Sequence, residues 1–411
     1  MMKRTRLKRE NIAVAATQGW HARTIVLLVA ISLFFVSSTL GNTNFAGRWY
    51  TLAQQLTQAC NYLIIALLLL ILYMFLLKRL QNINILACIL LFCLFMPVFY
   101  MLMKVKYQAL SFISYFLLMV ACVCVPYELK ILRTLFIGSV CKIGFVLVVF
   151  MLGIAQDNPL TRTQSTGVVL RRAFGFVSPN TLGIAILSAA IFYLMLKESR
   201  TTIFDLILLL FVSIVVDMYI DSRLFLLVSL LAIIIFFLYK YNAYPKGRLF
   251  AFFLSIIPII FLALSWFCVI PLRTINHDLW SQLDTLLAGR LQYAAYAVEQ
   301  FGVSLFGTQM EYVSRRQNAL TGEQWFGVDN SYMHLILDYG IITAVLFCIF
   351  ISWLMYRCWQ NRFRVFTIGS VVFLTMALTE NTILAPATSA LFLLAFGFHG
   401  AFKRKNSTII K

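Results

Sequence analysis

Charged residues are scarce in this sequence, and the motifs of soluble nucleotide-binding and hydrolytic enzymes are missing from it. Only 12% of the 411 residues are Asp, Glu, Lys or Arg, whereas 62% are hydrophobic and 37 are phenylalanine. The patterns GxxxxGK[ST], GxGxxG, HExxH and GxSxG do not occur. The composition excludes an ordinary soluble domain, and the missing motifs argue against a nucleotide-binding enzyme.

Patterns typical of metal sites are missing as well. The four histidines are scattered at positions 21, 277, 334 and 399, and the nine cysteines lie almost wholly in or beside apolar runs. No CxxC pair or Cys/His cluster is present among them. We therefore expect neither a metal ion nor another cofactor.

What the sequence does contain is about a dozen apolar runs long enough to cross a bilayer. These runs lie at approximately 25–40, 60–77, 82–103, 109–125, 134–155, 181–196, 203–219, 224–239, 248–270, 335–356, 365–379 and 384–401. They predict an all-α polytopic membrane protein with about 12 transmembrane helices. A single membrane domain would cover residues 25–402, between a basic N-terminal arm, 1–24, and a basic tail, 403–411.

Basic residues alternate between the two sides of these runs in the way that orients membrane proteins. One side takes 23 of the 34 Lys and Arg residues, including the N-terminal arm, the tail and Lys142, and we predict that this side is cytoplasmic. The remaining 11 fall on the outer side, and they are Arg48, Lys104, Lys106, Arg162, Arg171, Arg172, Arg223, Arg273, Arg290, Arg315 and Arg316. Nine are arginines, whose guanidinium groups bind phosphate in a bidentate way.

Two outer loops are long, 156–180 and 271–334, and we expect both to carry short helices and the function. In the first, "VVLRRAFGFVSPNTLG" places Arg171 and Arg172 just before Pro179 and Asn180. Two adjacent arginines between apolar segments indicate a negatively charged partner.

A short outer turn, "DMYIDSRLF", concentrates Asp217, Asp221 and Arg223 at the membrane edge. The functional interpretation directs Arg223 toward a group presented by the outer leaflet. The alternative is an interfacial Asp/Arg pair that closes a tight turn.

The larger outer loop contains "LLAGRLQYAAYAVEQFGVSLFG", which predicts an amphipathic helix with Arg290 and Tyr293 on its polar face. This helix either carries Arg290 toward a lipid headgroup or lies at the interface with one snorkelling arginine.

The segment "VDNSYMHLILDYG" leads into an apolar run with Asn330, His334 and Asp338 at every fourth position. Asp329 and Tyr332 share the neighbouring helix face. Acidic residues in a membrane helix favour a functional site, although capping by Asp329 or Asn330 is the simpler explanation for those two. "LTENTILAP" adds Glu380 and Asn381 at another outer corner.

Taken in order, these segments resemble the superfamily of O-antigen ligases and Wzy-type polysaccharide polymerases, from about the fifth to the eleventh run. The resemblance implies a GT-C-like glycosyltransferase whose donor is a glycan on undecaprenyl pyrophosphate. By their match to the family's motifs, Arg223 and Arg290 would hold the pyrophosphate, and Arg171 and Arg172 would be additional contacts or would attract the anion electrostatically. The ligases carry a histidine near the position of Asp329, and its displacement to His334 favours the polymerase.

The resemblance also implies roles for the neighbouring side chains. The general base would be Asp329, His334 or Asp221, and substrate contacts would come from Asn180, Tyr293, Asn330 and Tyr332. The expected location is the bacterial cytoplasmic membrane with an outward-facing site. The expected partners are lipid-linked glycans, membrane lipid, a flippase and a chain-length regulator, and no nucleic acid.

Three alternatives stay open at this stage. An O-antigen-ligase-type transferase would use the same donor. A lipid-linked oligosaccharide flippase would bind the same pyrophosphate, but it needs a polar cavity at the membrane midplane and often an internal repeat, and no repeat is visible. A purely structural membrane protein is the third.

Overall fold

The computed structural model describes residues 24–45, 47–76, 129–164, 167–197, 200–241, 245, 247–287, 289–308, 310, 327–360 and 364–381. Within these ranges the helices are α1 (Thr24–Asn42), α2 (Arg48–Leu76), α3 (Leu129–Met151), α4 (Pro179–Lys197), α5 (Ile203–Ile220), α6 (Arg223–Lys240), α7 (Arg248–Val269), α8 (Pro271–Ile275), α9 (His277–Leu286), α10 (Arg290–Phe301), α11 (Ser331–Gln360) and α12 (Arg364–Met376). Strands β1 (Leu160–Gln164) and β2 (Gly167–Arg171) lie between α3 and α4.

Within the described part of the chain, seven helices are long and apolar enough to cross a membrane: α1, α2, α3, α4, α5, α7 and α11. The shorter apolar helices α6 and α12 coincide with the predicted runs 224–239 and 365–379. The chain is thus a largely helical, multi-pass membrane protein. The predicted runs 82–103, 109–125 and 384–401 lie outside the described residues, so the total of about 12 helices and the GT-C-like architecture stay predictions.

The two long loops differ in structure. The loop 271–334 contains the short helices α8, α9 and α10, as predicted. The loop 156–180 instead forms an antiparallel hairpin, in which Leu160 pairs with Arg171 and Gln164 with Gly167. The prediction of short helices is wrong for the described part of this loop, because alternating Thr, Val and Leu residues favour a strand. The hairpin brings the chain back to Arg171 just before α4 begins.

The described helix ends agree with the alternation of basic residues. Asn180 bonds to both Arg171 and Glu380, and Glu380 also pairs with Arg290 at the start of α10. The prediction places all four residues on the outer side. At the other end of α4, Lys197 Nζ lies 2.7 Å from Asp205 Oδ1 at the start of α5. The absolute direction, outer or cytoplasmic, stays a prediction.

Lys142 is the exception. The alternation predicts a cytoplasmic position for it, but Lys142 lies inside α3, is only 4% exposed and donates to Ser38 Oγ of α1 over 3.1 Å. The assignment is wrong because one lysine with a hydroxyl partner on a neighbouring helix is accommodated within an otherwise apolar helix.

A break in α11 fixes the larger loop to the bundle. Gly340 has φ 88° and ψ 164°, which interrupts the helical hydrogen bonds around it. The backbone of 304–308 replaces them: Thr308 N donates to Leu337 O over 2.8 Å, and Ile341 N donates to Ser304 O over 3.2 Å. A Cβ on Gly340 would lie 2.3 Å from Leu305 O, so only glycine fits this contact.

Candidate functional site

Arg290 is the first residue of α10, and the turn before it sets its direction. Gly289 precedes the helix in the left-handed conformation, with φ 82°. Asp284 Oδ1 accepts from the backbone N–H groups of Leu291 over 2.9 Å and Gln292 over 3.0 Å, and this carboxylate caps the helix. The cap fixes the backbone from which the Arg290 side chain leaves the helix.

The Arg290 guanidinium lies between two carboxylates. Its Nη2 is 2.5 Å from Glu380 Oε1, and its Nε is 3.4 Å from Asp329 Oδ2. The side chains of Arg290 and Glu380 are 17% and 11% exposed, whereas that of Asp329 is 35% exposed. Arg290 and Glu380 therefore form a mostly buried ion pair, and Asp329 is the carboxylate nearest to solvent.

The pair continues into the other long loop. Asn180 Nδ2 donates to Glu380 Oε1 over 2.7 Å, and Asn180 Oδ1 accepts from Arg171 Nη2 over 2.6 Å. Arg171 Nε also donates to the carbonyl of Ile220 at the end of α5, over 2.6 Å. We call Arg171, Asn180, Arg290, Asp329 and Glu380 the arginine–carboxylate cluster. Its members come from four parts of the chain: the segment 171–180, the start of α10, the residues before α11 and the corner after α12.

The backbone around Glu380 is held in place from α11. Ser331 Oγ donates to the carbonyl of Glu380 over 2.6 Å, and Ser331 N donates to the carbonyl of Ala377 over 3.0 Å. The start of α11 and the end of α12 are thereby joined beneath the cluster. Asp329 and Glu380 belong to these two segments, so their approach to Arg290 is a consequence of the fold.

Burial and charge act in opposite directions on the ion pair. Burial raises the pKa of Glu380 above its usual range, and Arg290 only partly offsets this, while Asp329 adds to it. For Arg290, burial alone would lower the pKa, but the negative charges of Glu380 and Asp329 outweigh burial and raise it. The cluster therefore contains a permanent cation beside a carboxyl group that binds its proton more tightly than an exposed carboxyl group does.

The corner between α5 and α6 is shaped by local hydrogen bonds. Asp221 ends α5 in the left-handed conformation, with φ 40° and ψ 56°, and Asp217 Oδ1 accepts from Ser222 N over 2.9 Å. Ser222 caps α6 through Phe225 N. This geometry fits the tight-turn interpretation. The side chain of Arg223 lies outside the described residues, so its contact with pyrophosphate, and a role of Asp221 as base, stay predictions.

Two of the predicted substrate contacts at α11 have structural partners. Asn330 Oδ1 caps α11 by accepting from Tyr332 N and Met333 N, and its Nδ2 donates to Ser265 Oγ of α7 over 3.0 Å. Tyr332 is fully buried, and its hydroxyl donates to the carbonyl of Leu374. The structure therefore favours capping for Asn330 and core packing for Tyr332 over contact with substrate.

His334 lies one turn further into α11 and is paired within its own helix. Its Nδ1 is 2.6 Å from Asp338 Oδ2, and the two side chains are 12% and 7% exposed. His334 thus belongs to a mostly buried carboxylate–imidazole pair. Its role as a base stays a prediction.

The other predicted residues lie at the edges of the cluster. Arg172 is 52% exposed and 3.6 Å from Asp157, whose Oδ1 also accepts from the backbone of Ala173 and Phe174. Tyr293 is partly buried, one turn after Arg290 on α10.

Glu380 and Asp284 are the two central residues that the sequence prediction left out of the site. The sequence places Glu380 at an outer corner, and the only pattern that points to a function is a carboxylate directly after an apolar run. The pattern around Asp284 is weaker still, since it is only an aspartate a few residues before a glycine and an arginine.

The cluster has the chemical capacity to bind an anion and to move a proton. Two guanidinium groups offer fixed donors to a phosphate, and a partly exposed carboxylate lies beside one of them. Comparisons with protein-family models, with curated proteins and with solved structures found no match to this chain.

Proposed function

We propose that the protein is a polysaccharide polymerase of the outer face of the bacterial cytoplasmic membrane. It joins oligosaccharide repeat units carried on undecaprenyl pyrophosphate and releases undecaprenyl pyrophosphate. The observation that supports this proposal is the convergence of Arg290 and Arg171, one from each long loop, on Glu380 and Asn180. A pair of anchored arginines in a largely buried site suits a lipid pyrophosphate.

In the proposed reaction, a hydroxyl oxygen of the acceptor repeat unit forms a bond to C1 of the donor glycan as the bond from C1 to the pyrophosphate oxygen breaks. The electron pair leaves with the pyrophosphate, whose growing negative charge faces Arg290 and Arg171. Fixed cations in a site shielded from water stabilise that charge more in the transition state than in the ground state.

Asp329 is the base that best fits the cluster. Its side chain is 35% exposed, and its Oδ2 is 3.4 Å from Arg290 Nε, so it is adjacent to the leaving group and accessible to an acceptor. It would take the proton of the attacking hydroxyl. Glu380 is more buried and has a raised pKa, and its proposed part is to position Arg290.

The proposal is tested with purified protein in proteoliposomes that contain undecaprenyl-pyrophosphate repeat units and no nucleotide sugar. Wild type should form long glycan. Arg290→Lys and Arg171→Lys should form little or none, because an ammonium group cannot reproduce the guanidinium fork. Arg273→Lys is the matched control, since Arg273 lies in the same loop as Arg290 but pairs with Glu299 on the surface.

The same assay separates the alternatives. Full polymer from both lysine variants would refute the pyrophosphate role of the cluster, and no product from folded wild type with its own repeat unit would refute the polymerase. Transfer to a lipid A acceptor without polymer would indicate a ligase. In cells, a blocked polymerase should accumulate single repeat units on the outer face, whereas a blocked flippase would retain them inside.

A further inference from the structure

The proposed reaction leaves one charged residue inside the helix bundle unexplained. Lys142 lies in α3, nine residues before the helix ends at Met151, and is only 4% exposed. In the described part of the chain it makes a single hydrogen bond, from Nζ to Ser38 Oγ over 3.1 Å, and no ion pair. An ammonium ion has three donors, and only one of them has a partner among the described residues, in a place where unpaired charge is costly.

Ser38, the described hydrogen-bond partner of Lys142, has a second donor on its own helix. Ser38 Oγ also accepts from Asn42 Nδ2 over 3.2 Å, so two donors already converge on this oxygen. Its hydroxyl hydrogen is then directed away from both of them, and Asn42 retains a second amide N–H. Lys142, Ser38 and Asn42, here called the lysine site, thus present several donors and no carboxylate, which is the complement of an anion.

The lysine site lies close to one end of the helix bundle. Ser38 lies one turn before the end of α1 at Asn42, about 6 Å along the axis. The ends of α1 and α3 lie at the same side of the bundle, because Phe45 pairs with Ala155 and Gln156 N donates to Asn44 O. Lys142 therefore extends its ammonium group from inside α3 toward the membrane surface. Ser38 and Asn42 are half-buried, so the site is not closed.

The end of α1 is also joined to the loop that carries Arg171. Val177 N donates to Asn42 O over 3.0 Å, and Asn44 N donates to Gly175 O over 2.8 Å. The end of α1 that carries the lysine site is thus attached to the middle of one short segment, 171–180, whose two ends carry Arg171 and Asn180 of the cluster. An anion bound at the first would lie on the same side of the membrane as an anion bound at the second.

We propose that Lys142, Ser38 and Asn42 bind the phosphate group of a membrane lipid. A phosphate accepts several hydrogen bonds and carries the negative charge that the site lacks, and basic pockets between transmembrane helices are known to suit such headgroups. Two kinds of lipid carry this group, a phospholipid and a polyprenyl pyrophosphate. The choice of a polyprenyl pyrophosphate rests on the proposed function, because each round of polymerisation uses a donor and an acceptor that both carry pyrophosphate.

The test counts lipids bound to the purified full-length protein by native mass spectrometry and measures their affinity. The probes are farnesyl pyrophosphate, phosphatidylglycerol, inorganic pyrophosphate and uncharged diacylglycerol. Lys142→Met should lose one bound phosphate-bearing lipid per protein, or bind it at least about 10-fold more weakly, since a hydrogen bond to a charged group is lost. Lys142→Arg should retain it, and Lys240→Met, at the opposite end of the bundle, is the matched control.

The outcomes are distinct from those of the polymerase assay, because no glycan is formed. Loss of farnesyl pyrophosphate alone would identify a polyprenyl site, and loss of phosphatidylglycerol as well would identify a general headgroup site. Unchanged lipid binding by Lys142→Met would overturn the proposal, as would equal binding of diacylglycerol or of inorganic pyrophosphate. If Lys142→Met does not fold, Ser38→Ala and Asn42→Ala serve the same test, since each removes one donor near the end of α1.

Discussion

Replacing Arg290 with methionine should destabilise the protein in a way that depends on pH. The change removes the cation from Glu380, whose side chain is 11% exposed, and leaves a carboxylate that is nearly buried. Breaking a buried pair by removing one partner costs about 3 to 5 kcal/mol, and the remaining exposure of both side chains favours the lower end, about 3 kcal/mol. This loss requires that Glu380 be ionised.

The direction of the pH dependence follows from the pKa of Glu380. Folding raises this pKa above its ordinary value of 4.5 because of burial, and without Arg290 it should rise further. A carboxyl group that binds its proton more tightly when folded favours folding at low pH and opposes it as the pH rises above 4.5. Arg290→Met should therefore be close to wild type at pH 4 and lose most stability above neutral pH.

The measurement is the free energy of unfolding in mixed micelles titrated with a denaturing detergent, across pH 4 to 8. The double variant Arg290→Met/Glu380→Gln removes both charges and should recover most of the loss near neutral pH, with little pH dependence from this site. The buried-pair argument fails if the single variant loses the same stability at every pH, or if the double variant is no better than the single one.

Four further outcomes follow from the same structure. Gly340→Ala and Gly307→Ala should each lose several kcal/mol of stability in the same titration, because both glycines have positive φ and a new Cβ would lie 2.3 Å from Leu305 O or 2.2 Å from Asp338 O, respectively. The control Gly144→Ala has open space for its Cβ and should be neutral or stabilising. Asp284→Ala should cost about 1 kcal/mol and reduce polymer formation, because the cap behind Arg290 is lost, and Asp278→Ala is its control. Asp329→Asn should abolish polymer formation while lipid pyrophosphate still binds, and retained turnover would reassign the base to His334. A cysteine at Thr163 or Thr321, in a background shown to be unreactive, should label with an impermeant thiol reagent in whole cells, and labelling only after lysis would invert the orientation.

The helices could be predicted from the sequence because each is a local property. An apolar run of sufficient length satisfies its own backbone within the bilayer, so its position follows from composition alone. All nine predicted runs within the described residues coincide with helices, although α2 begins at Arg48, well before residue 60. That early start has a local cause as well, since the polar segment ahead of the run contains no proline or glycine to stop a helix.

The arrangement of the cluster could not be predicted in the same way, because it depends on contacts between distant segments. Arg290 and Arg171 were identified from their residue type and position, but the pairing of Arg290 with Glu380 spans 90 residues. No local pattern distinguishes a carboxylate that neutralises an arginine from one that caps a helix, as the different roles of Asp329 and Asp284 demonstrate.

The charges of the cluster also constrain how a pyrophosphate would enter it. If Asp329 and Glu380 are both ionised, a pyrophosphate placed against Arg290 would bring three negative groups around one cation, which is unfavourable. Two features reduce this repulsion. Arg171 supplies a second cation, which Asn180 links to Glu380. Glu380 can also take up a proton, which burial favours because it raises the pKa of this carboxyl group. Binding of lipid pyrophosphate should then be accompanied by proton uptake and should be tighter at lower pH. Glu380→Gln, which is neutral at every pH, should remove that proton uptake while leaving Asn180 and Arg290 with an acceptor oxygen, and an unchanged pH dependence of binding in this variant would place the proton elsewhere.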